Sequence, residues 1–350
     1  MFFLIALPLL ACSSSYGDFV GAASSPILQG DAQKTIEQLL QSVTGEGKKD
    51  PDAWFQLGVE YARAGDTDKA RKAFRQAFKL RPDFRAARAG VAYTFLIEKK
   101  YAEAEKEAKL AVSILNVRKP GDFSAHHVLT AVWLQQYRES SARRLAQAEQ
   151  EIAKNSGDAR WHLLKAEALL GLSIPEQTLT PDFLLTAPRS DNLGDKASAK
   201  AAREADREVW RGAAASLEKF FALNKSSESY PFLRAQLETL RFYLQDTDDA
   251  PIGSRIFLQP EVTTKAVIRH KPSPGFTAEA RGADVSGMVR LRGVLVADGT
   301  VKHLLVIKPL GHGLTESALQ AARAIKFTPA TVNGQPVSQS IVLEYNFNIY

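Results

Sequence analysis

The chain has 350 residues, 45% of them apolar and 24% charged, and a net charge of +6. This is the composition of globular domains and excludes an intrinsically disordered protein, while the length favours two or more domains. Residues 254–350 hold 11 Lys and Arg against 6 Asp and Glu, so the positive charge lies mostly at the C-terminal end. A surface of that sign could meet an anionic partner, although ordinary solubility explains it equally well.

Residues 1–12 are predicted to be a leader. Met1–Ala11 is apolar and stops at Cys12, the only cysteine, so no internal disulfide can form. As a helix it spans about 16 Å, half a bilayer core, which fits a signal peptide better than a membrane span. The run Leu9-Leu10-Ala11-Cys12 resembles the lipobox of bacterial lipoproteins, although no Lys or Arg precedes it. The resemblance implies a lipid on Cys12 and, with Ser13 next, the outer membrane rather than the inner; the alternative is a plain signal peptide.

Residues 13–30, rich in Ser, Gly and Ala, are expected to be a flexible tether, and residues 31–245 a helical solenoid. Small and large apolar residues recur there at one characteristic spacing: Trp54, Leu57, Gly58, Tyr61, Ala70, Phe74 and Pro82. This spacing resembles the tetratricopeptide repeat (TPR), clearest over residues 51–84, with a weaker copy over 85–117 and degenerate helices beyond. The resemblance implies a groove that binds an extended peptide or a partner helix.

Two stretches interrupt the helical pattern. Residues 172–195 are rich in Pro, Thr and Asp, which favours a disordered insert over a functional loop. Residues 246–265 are expected to be a linker to the last domain, which covers residues 266–350.

The C-terminal pattern predicts a ββαβ domain. Gly287–Ala297 and Val301–Lys308 are strand-like, and Asp298-Gly299 between them is a strong hairpin signal. A helix follows, marked by apolar residues at helical spacing: Leu314, Ala318, Ala321 and Ile325. From Ile341 onward apolar and polar residues alternate, as in a half-buried strand.

This region resembles the C-terminal domain of the TonB family, periplasmic proteins that contact outer-membrane receptors. The matching motifs follow one another in order: Pro272-x-Pro274-Gly275-Phe276-Thr277-x-Glu279-Ala280-Arg281, Gly287-x-Val289, Asp298-Gly299-x-Val301, Phe327-x-Pro329-Ala330 and Asn333-Gly334-x-Pro336-Val337. Many members carry Tyr-Pro where this chain has Phe276-Thr277. The expected fold class is mainly α, a TPR-like solenoid, with a C-terminal α+β domain.

The resemblance implies strand addition at a sheet edge, where unpaired backbone groups accept a partner strand. The candidate edge lies on the last strand: Ser340, Val342, Glu344, Asn346 and Asn348. A nearby groove is expected from Pro272, Pro274, Phe276 and Arg281. Leu343, Tyr345 and Phe347 are interpreted as core rather than contact residues.

No catalytic, metal or cofactor site is predicted. None of the 6 histidines has zinc-site spacing, and Gly311-His312-Gly313 is more typical of a tight turn than of a phosphate loop. Basic residues could line one sheet surface: Arg290, Arg292, Lys302 and Lys308. An exported leader nevertheless disfavours a nucleic-acid partner.

Both modules are therefore predicted to bind proteins. The first hypothesis is a periplasmic TonB-family protein that binds segments of outer-membrane receptors or transporters, in support of transmembrane transport. The usual energy transducers of that family carry a long anchor helix and a proline-rich spacer, neither of which is predicted between Met1 and Tyr350. An anchor helix encoded upstream of Met1 is the alternative that would favour this hypothesis. The alternative is a lipid-anchored envelope scaffold without energy transduction. Exposed strand edges also allow a homodimer through the last domain.

Overall fold

The computed structural model describes residues 26–114, 124–175, 179, 181–185, 196–224, 229–247 and 249–348. Contacts divide the chain into two compact units. The first unit comprises residues 1–128 and 180–187, and the second comprises residues 129–179 and 188–350. The predicted leader with Cys12, and residues 13–25 of the predicted tether, lie outside the described residues. Residues 26–30, also expected to belong to the flexible tether, are instead the start of a helix.

The first unit is helical. Its helices are α1 (Pro26–Thr44), α2 (Pro51–Arg63), α3 (Thr67–Leu80), α4 (Arg85–Ile97) and α5 (Tyr101–Val112), with 3-10 helices at Glu46–Lys49 and Pro181–Leu184. Local chemistry sets the helix starts: Asp50 and Asp66 accept hydrogen bonds from backbone N–H groups of the first turns of α2 and α3, and Pro51 opens α2. Each of α1 to α4 packs against the next helix in the chain.

The centre of the first unit is the buried ring of Phe74 on α3. It is held between two glycines: a Cβ on Gly58 of α2 would lie 2.5 Å from the ring, and one on Gly90 of α4 would lie 2.8 Å from it. Gly58 belongs to the predicted repeat signature, whereas Gly90 does not. Three successive helices can approach this closely only because both positions lack a side chain.

Glu98, at the end of α4, carries the main electrostatic contact between α3 and α4. Burial disfavours its charge, but hydrogen bonds from Lys100, Thr67 and Arg71 outweigh it and lower the pKa of Glu98 to about 2. The ionised form is therefore the one the fold stabilises.

The second unit joins helices to a sheet. The helices are α6 (Ser124–Lys154, which begins in the first unit), α7 (Ala159–Leu172), α8 (Lys196–Leu223), α9 (Pro231–Gln245), α10 (Ala278–Gly282) and α11 (Leu314–Arg323). The strands are β1 (Ile256–Phe257), β2 (Val267–His270), β3 (Gly287–Leu295), β4 (Val301–Lys308), β5 (Lys326–Thr328), β6 (Ala330–Val332) and β7 (Gln335–Phe347). The main sheet has the order β1-β7-β3-β4, with β6 also pairing with β7, and β2 pairs with β5 separately.

One face of the sheet packs on α10 and α11. Leu343, Tyr345 and Phe347 of β7 are 2–3% exposed and belong to this core, as predicted. The hairpin of β3 and β4, the helix α11 and the closing strand β7 also follow the predicted ββαβ order. The prediction succeeds because the spacing of apolar residues distinguishes a helix from a strand and shows which side chains share a face.

The other face of the sheet is covered by helices. Met288 of β3 and Leu305 of β4 are fully buried on it, and Arg292 of β3 stacks 4.8 Å from the ring of Trp210 on α8. Trp210 in turn contacts Tyr243 on α9, with ring centroids 5.1 Å apart. Contacts thus place α7 to α9 with the C-terminal sheet and not with the repeats, which differs from the single solenoid expected over residues 31–245.

The segment expected to be a linker is built into the second unit. β1 pairs in parallel with β7 at Ser338 and Gln339. Arg203 of α8, only 6% exposed, donates to the carboxylate of Glu261 at 2.6 Å and to the Ile256 carbonyl at 3.1 Å. Since a buried guanidinium needs such partners, these bonds hold β1 in place.

Candidate protein interfaces

The outer side of β7 presents backbone groups that no described strand satisfies beyond Gln339. β7 pairs with β3 over Gln339–Phe347, whereas on its other side β1 reaches only Ser338 and Gln339. Lys271 Nζ donates to the Glu344 carbonyl at 2.8 Å, which shows that Glu344 points its backbone groups away from β3. Because this direction alternates along an antiparallel pair, the N–H and C=O groups of Ser340, Val342 and Asn346 also point outward. We call these four residues the β7 edge.

The β7 edge is accessible to a partner. Val342 is 41% exposed, Asn346 is exposed, and Ser340 and Glu344 are half-buried. Asn348, the fifth predicted edge residue, lies just past the end of β7 and is half-buried. The structure thus places four of the five predicted residues on one outward-facing row, which suits main-chain pairing with an extended segment.

The opposite edge of the sheet, on β4, is closed by α9. The side-chain amide of Gln236 donates to the Leu304 carbonyl at 3.2 Å and accepts from the Val306 N–H at 2.7 Å, as a neighbouring strand would. Tyr243 Oη donates to the His303 carbonyl at 2.9 Å, and Phe242 stacks on the His303 ring with centroids 3.3 Å apart. The sequence carried no signal for this cover, which depends on tertiary contact.

The basic residues of β3 and β4 are engaged in internal contacts. Arg290 pairs with Glu344, and Arg292 pairs with Asp206 at 2.8 Å. Lys302 pairs with Asp298 at 2.9 Å, and buried Lys308 donates to the Met288 carbonyl at 3.0 Å. The basic sheet surface considered from the sequence is therefore not an open cationic face.

Burial shifts the pKa values of two charged residues between α8 and the sheet, Asp206 on α8 and Arg290 on β3. Burial raises the pKa of Asp206 against the opposing charge of Arg292, and burial lowers the pKa of Arg290 against the charge of Glu344. Both shifts are what removal from water does to a charged form.

The predicted groove residues lie near the C-terminal end of β7. Phe276 packs edge-on against Phe347, with ring centroids 5.8 Å apart, and the Arg281 guanidinium lies 5.9 Å from the Phe276 ring. Pro272 and Pro274 are half-buried on the extended segment that leads to Phe276. Phe276 is thus partly a core residue that packs beside the last residue of β7.

Lys271 ties that extended segment to β7. Besides its bond to the Glu344 carbonyl, its ammonium lies 4.6 Å from the Tyr345 ring, and burial lowers its pKa. A partner strand that pairs along the whole β7 edge must displace this one side chain.

The predicted repeat residues serve the packing of the first unit. Leu57, Gly58, Ala70 and Phe74 are buried, whereas Trp54 and Tyr61 are half-buried and pack beside α1. Trp54 Nε1 also donates to the Lys48 carbonyl at 3.0 Å, and Pro82 is exposed in the turn after α3.

Part of the predicted disordered insert is ordered. The 3-10 helix Pro181–Leu184 packs against α2 and α4, with Pro181 and Leu184 buried. The expectation of disorder is wrong for this stretch, because its apolar residues find a partner surface. Residues 176–178, 180 and 186–195 lie outside the described residues.

The described residues show neither a metal-binding cluster nor a membrane-spanning helix. No group of three or more His, Cys, Asp or Glu side chains in that part of the chain could hold a metal ion. Within the same residues, no helix combines the length and apolar character needed to cross a bilayer.

Comparison with known families agrees with this geometry. Residues 272–349 match the Gram-negative bacterial TonB protein C-terminal family. The last domain is therefore of the TonB type. Residues 51–84 match the tetratricopeptide repeat, so α2 and α3 form a TPR. Both are protein-interaction domains, and the TonB-type domain indicates a periplasmic, envelope-associated protein. No curated protein is similar enough to the chain to count as a match.

Proposed function

We propose that this protein captures an extended segment of an outer-membrane receptor or transporter by strand addition at the β7 edge, in support of transport across that membrane. The observation that carries the proposal is the asymmetry of the sheet. Helix α9 satisfies the outer groups of β4 through Gln236 and Tyr243, whereas on the side of β7 that faces away from β3 no described strand pairs with it from Ser340 onward. An added strand gains main-chain hydrogen bonds at one edge only.

A photo-crosslinking amino acid at Val342 tests this contact in the native envelope. We expect cross-links from Val342 to an outer-membrane receptor, and none from Glu316, which is exposed on α11. Asn346→Pro should abolish the cross-link without unfolding the domain, because it removes an N–H that points away from β3. Ile341→Pro is the contrasting variant, since the Ile341 N–H faces β3 and its loss should unfold the sheet.

The test separates the outcomes. Loss of substrate uptake in the Asn346→Pro strain, together with loss of the receptor cross-link, supports the proposal. An unchanged cross-link in that variant contradicts strand addition, because no partner strand can pair fully along an edge that carries proline.

A lipid-anchored scaffold is the second candidate, favoured by the lipobox-like run that ends at Cys12. In that case the same two surfaces, the β7 edge and the TPR, hold envelope proteins together without coupling to transport. Intact mass of the protein from its native membrane tests the anchor: loss of residues 1–11 with an acyl addition on Cys12 supports it. Cross-links from Val342 to non-transport envelope proteins, with normal uptake in the Asn346→Pro strain, would then favour the scaffold.

A further inference from the structure

The surface formed by α2 and α4 carries a segment that lies far away in sequence. α2 and α4 are the first helices of the two consecutive repeat copies, and repeat arrays bind ligands on the surface that successive equivalent helices share. The 3-10 helix Pro181–Leu184 contacts both helices. We call this surface of α2 and α4 the repeat surface.

The segment is held by one ion pair and two apolar side chains. The Asp182 carboxylate accepts from Arg63 Nε at 2.9 Å, a contact between residues 119 positions apart, and a second guanidinium nitrogen of Arg63 also reaches it. Leu184 is 6% exposed and Pro181 is buried. One acidic side chain, Asp182, thus lies between two buried apolar ones along a short segment, as in a bound peptide.

The charge of Asp182 affects a titratable group on the repeat surface, Tyr93. Burial raises the pKa of Tyr93 on α4 to about 12, and the nearby charge of Asp182 contributes in the same direction. The Arg63 guanidinium at the end of α2 therefore contacts the Asp182 carboxylate, and Tyr93 on α4 lies within range of its charge. One basic and one phenolic group beside an apolar site for Leu184 select an acidic residue followed two positions later by an aliphatic one.

The contact is also exchangeable. Arg63 and Asp182 keep 37% and 58% of their side-chain surface exposed, and an ion pair open to water contributes little to stability. A partner peptide of the same chemistry can therefore replace the segment, with the advantage of any further contacts it makes.

We infer that residues 181–185 are an internal ligand of the repeat surface, and that its external partner is an extended protein segment with an Asp-x-Leu pattern. Partner binding then requires displacement of the internal copy. The inference rests on the proposal that the TPR binds protein, but it does not depend on strand addition at the β7 edge.

Binding of a labelled peptide with the sequence of residues 179–185 to the full chain tests the inference. Asp182→Ala combined with Leu184→Ala disables the internal copy, and the peptide should bind this variant at least tenfold more tightly than the unmodified protein. Adding Arg63→Glu should weaken that binding, because it places two carboxylates side by side, whereas Arg75→Glu, an exposed charge change on α3, should not. A peptide with Lys in place of Asp should restore binding to the Arg63→Glu protein.

Equal affinity for the unmodified and disabled chains, or binding insensitive to Arg63→Glu, would overturn the inference. Should the disabled chain fail to fold, hydrogen exchange of the unmodified protein decides instead. A saturating concentration of peptide must then accelerate hydrogen exchange at the Leu185 N–H, which donates to the Asp182 carbonyl at 3.0 Å. Unchanged exchange at that N–H overturns the inference. Cross-linking at Val342 should be unaffected by the peptide, so this inference and strand addition can fail separately.

Discussion

Replacing Gln236 by Ala should both destabilise the second unit and open a second sheet edge. Gln236 is 6% exposed and forms two hydrogen bonds, to the Leu304 carbonyl and the Val306 N–H. Each backbone group left unsatisfied in a buried site costs about 1–3 kcal/mol, and water can reach an edge more easily than a core. We therefore expect a loss of roughly 2–4 kcal/mol in the free energy of unfolding.

Urea denaturation followed by far-UV circular dichroism measures that loss, with Glu238→Ala on the exposed side of α9 as the matched control. Light scattering measures the second effect, because an uncovered β4 offers a template for pairing between chains. A loss below about 0.5 kcal/mol, the usual range of surface substitutions, would refute the argument that Gln236 acts as a substitute strand.

Three further predictions concern other contacts. Gly90→Ala should lower the stability of the first unit by about 1–3 kcal/mol through collision with Phe74, measured by thermal unfolding beside Gly282→Ala, which meets nothing within 4 Å. Because the pKa of Glu98 in the folded protein is about 2, below its ordinary value of 4.5, its contribution to the free energy of unfolding is complete above pH 4.5 and is lost as pH falls through 2. Glu98→Gln should flatten this part of the curve of unfolding free energy against pH, and an unchanged curve contradicts the assignment. Arg203→Ala should cost about 3 kcal/mol and speed hydrogen exchange in β1, and slow exchange there would show that Arg203 is not what holds this strand.

The elements predicted well are those whose signal is local. Alternation along β7 placed Leu343 in the core, and Asp298-Gly299 marked the hairpin between β3 and β4. The TPR spacing identified Gly58, because two helices that cross closely require a small residue at that position. In each case neighbouring residues alone determine the conformation.

The elements missed depend on contacts distant in sequence. Arg290 and Arg292 alternate with apolar residues and look like a solvated strand face, yet both are covered by helices and paired with acidic groups. Ile256-Phe257 is too short to predict as a strand until β7 offers it a partner. The docking of Asp182 on Arg63 has no sequence signal beyond one acidic and one apolar residue. Tertiary partners decide such cases, as they do for strands in general.

The pairing of β7 with β3 has a mechanical consequence. All nine residues of β3 pair with β7 in an unbroken antiparallel register. A tension applied along a strand added to the β7 edge runs parallel to this ladder, so it loads the hydrogen bonds together in shear instead of opening them one after another. If a partner strand adds as proposed, the sheet is oriented to withstand pulling along β7, and traction at right angles to β7 would separate the same strands at far lower force.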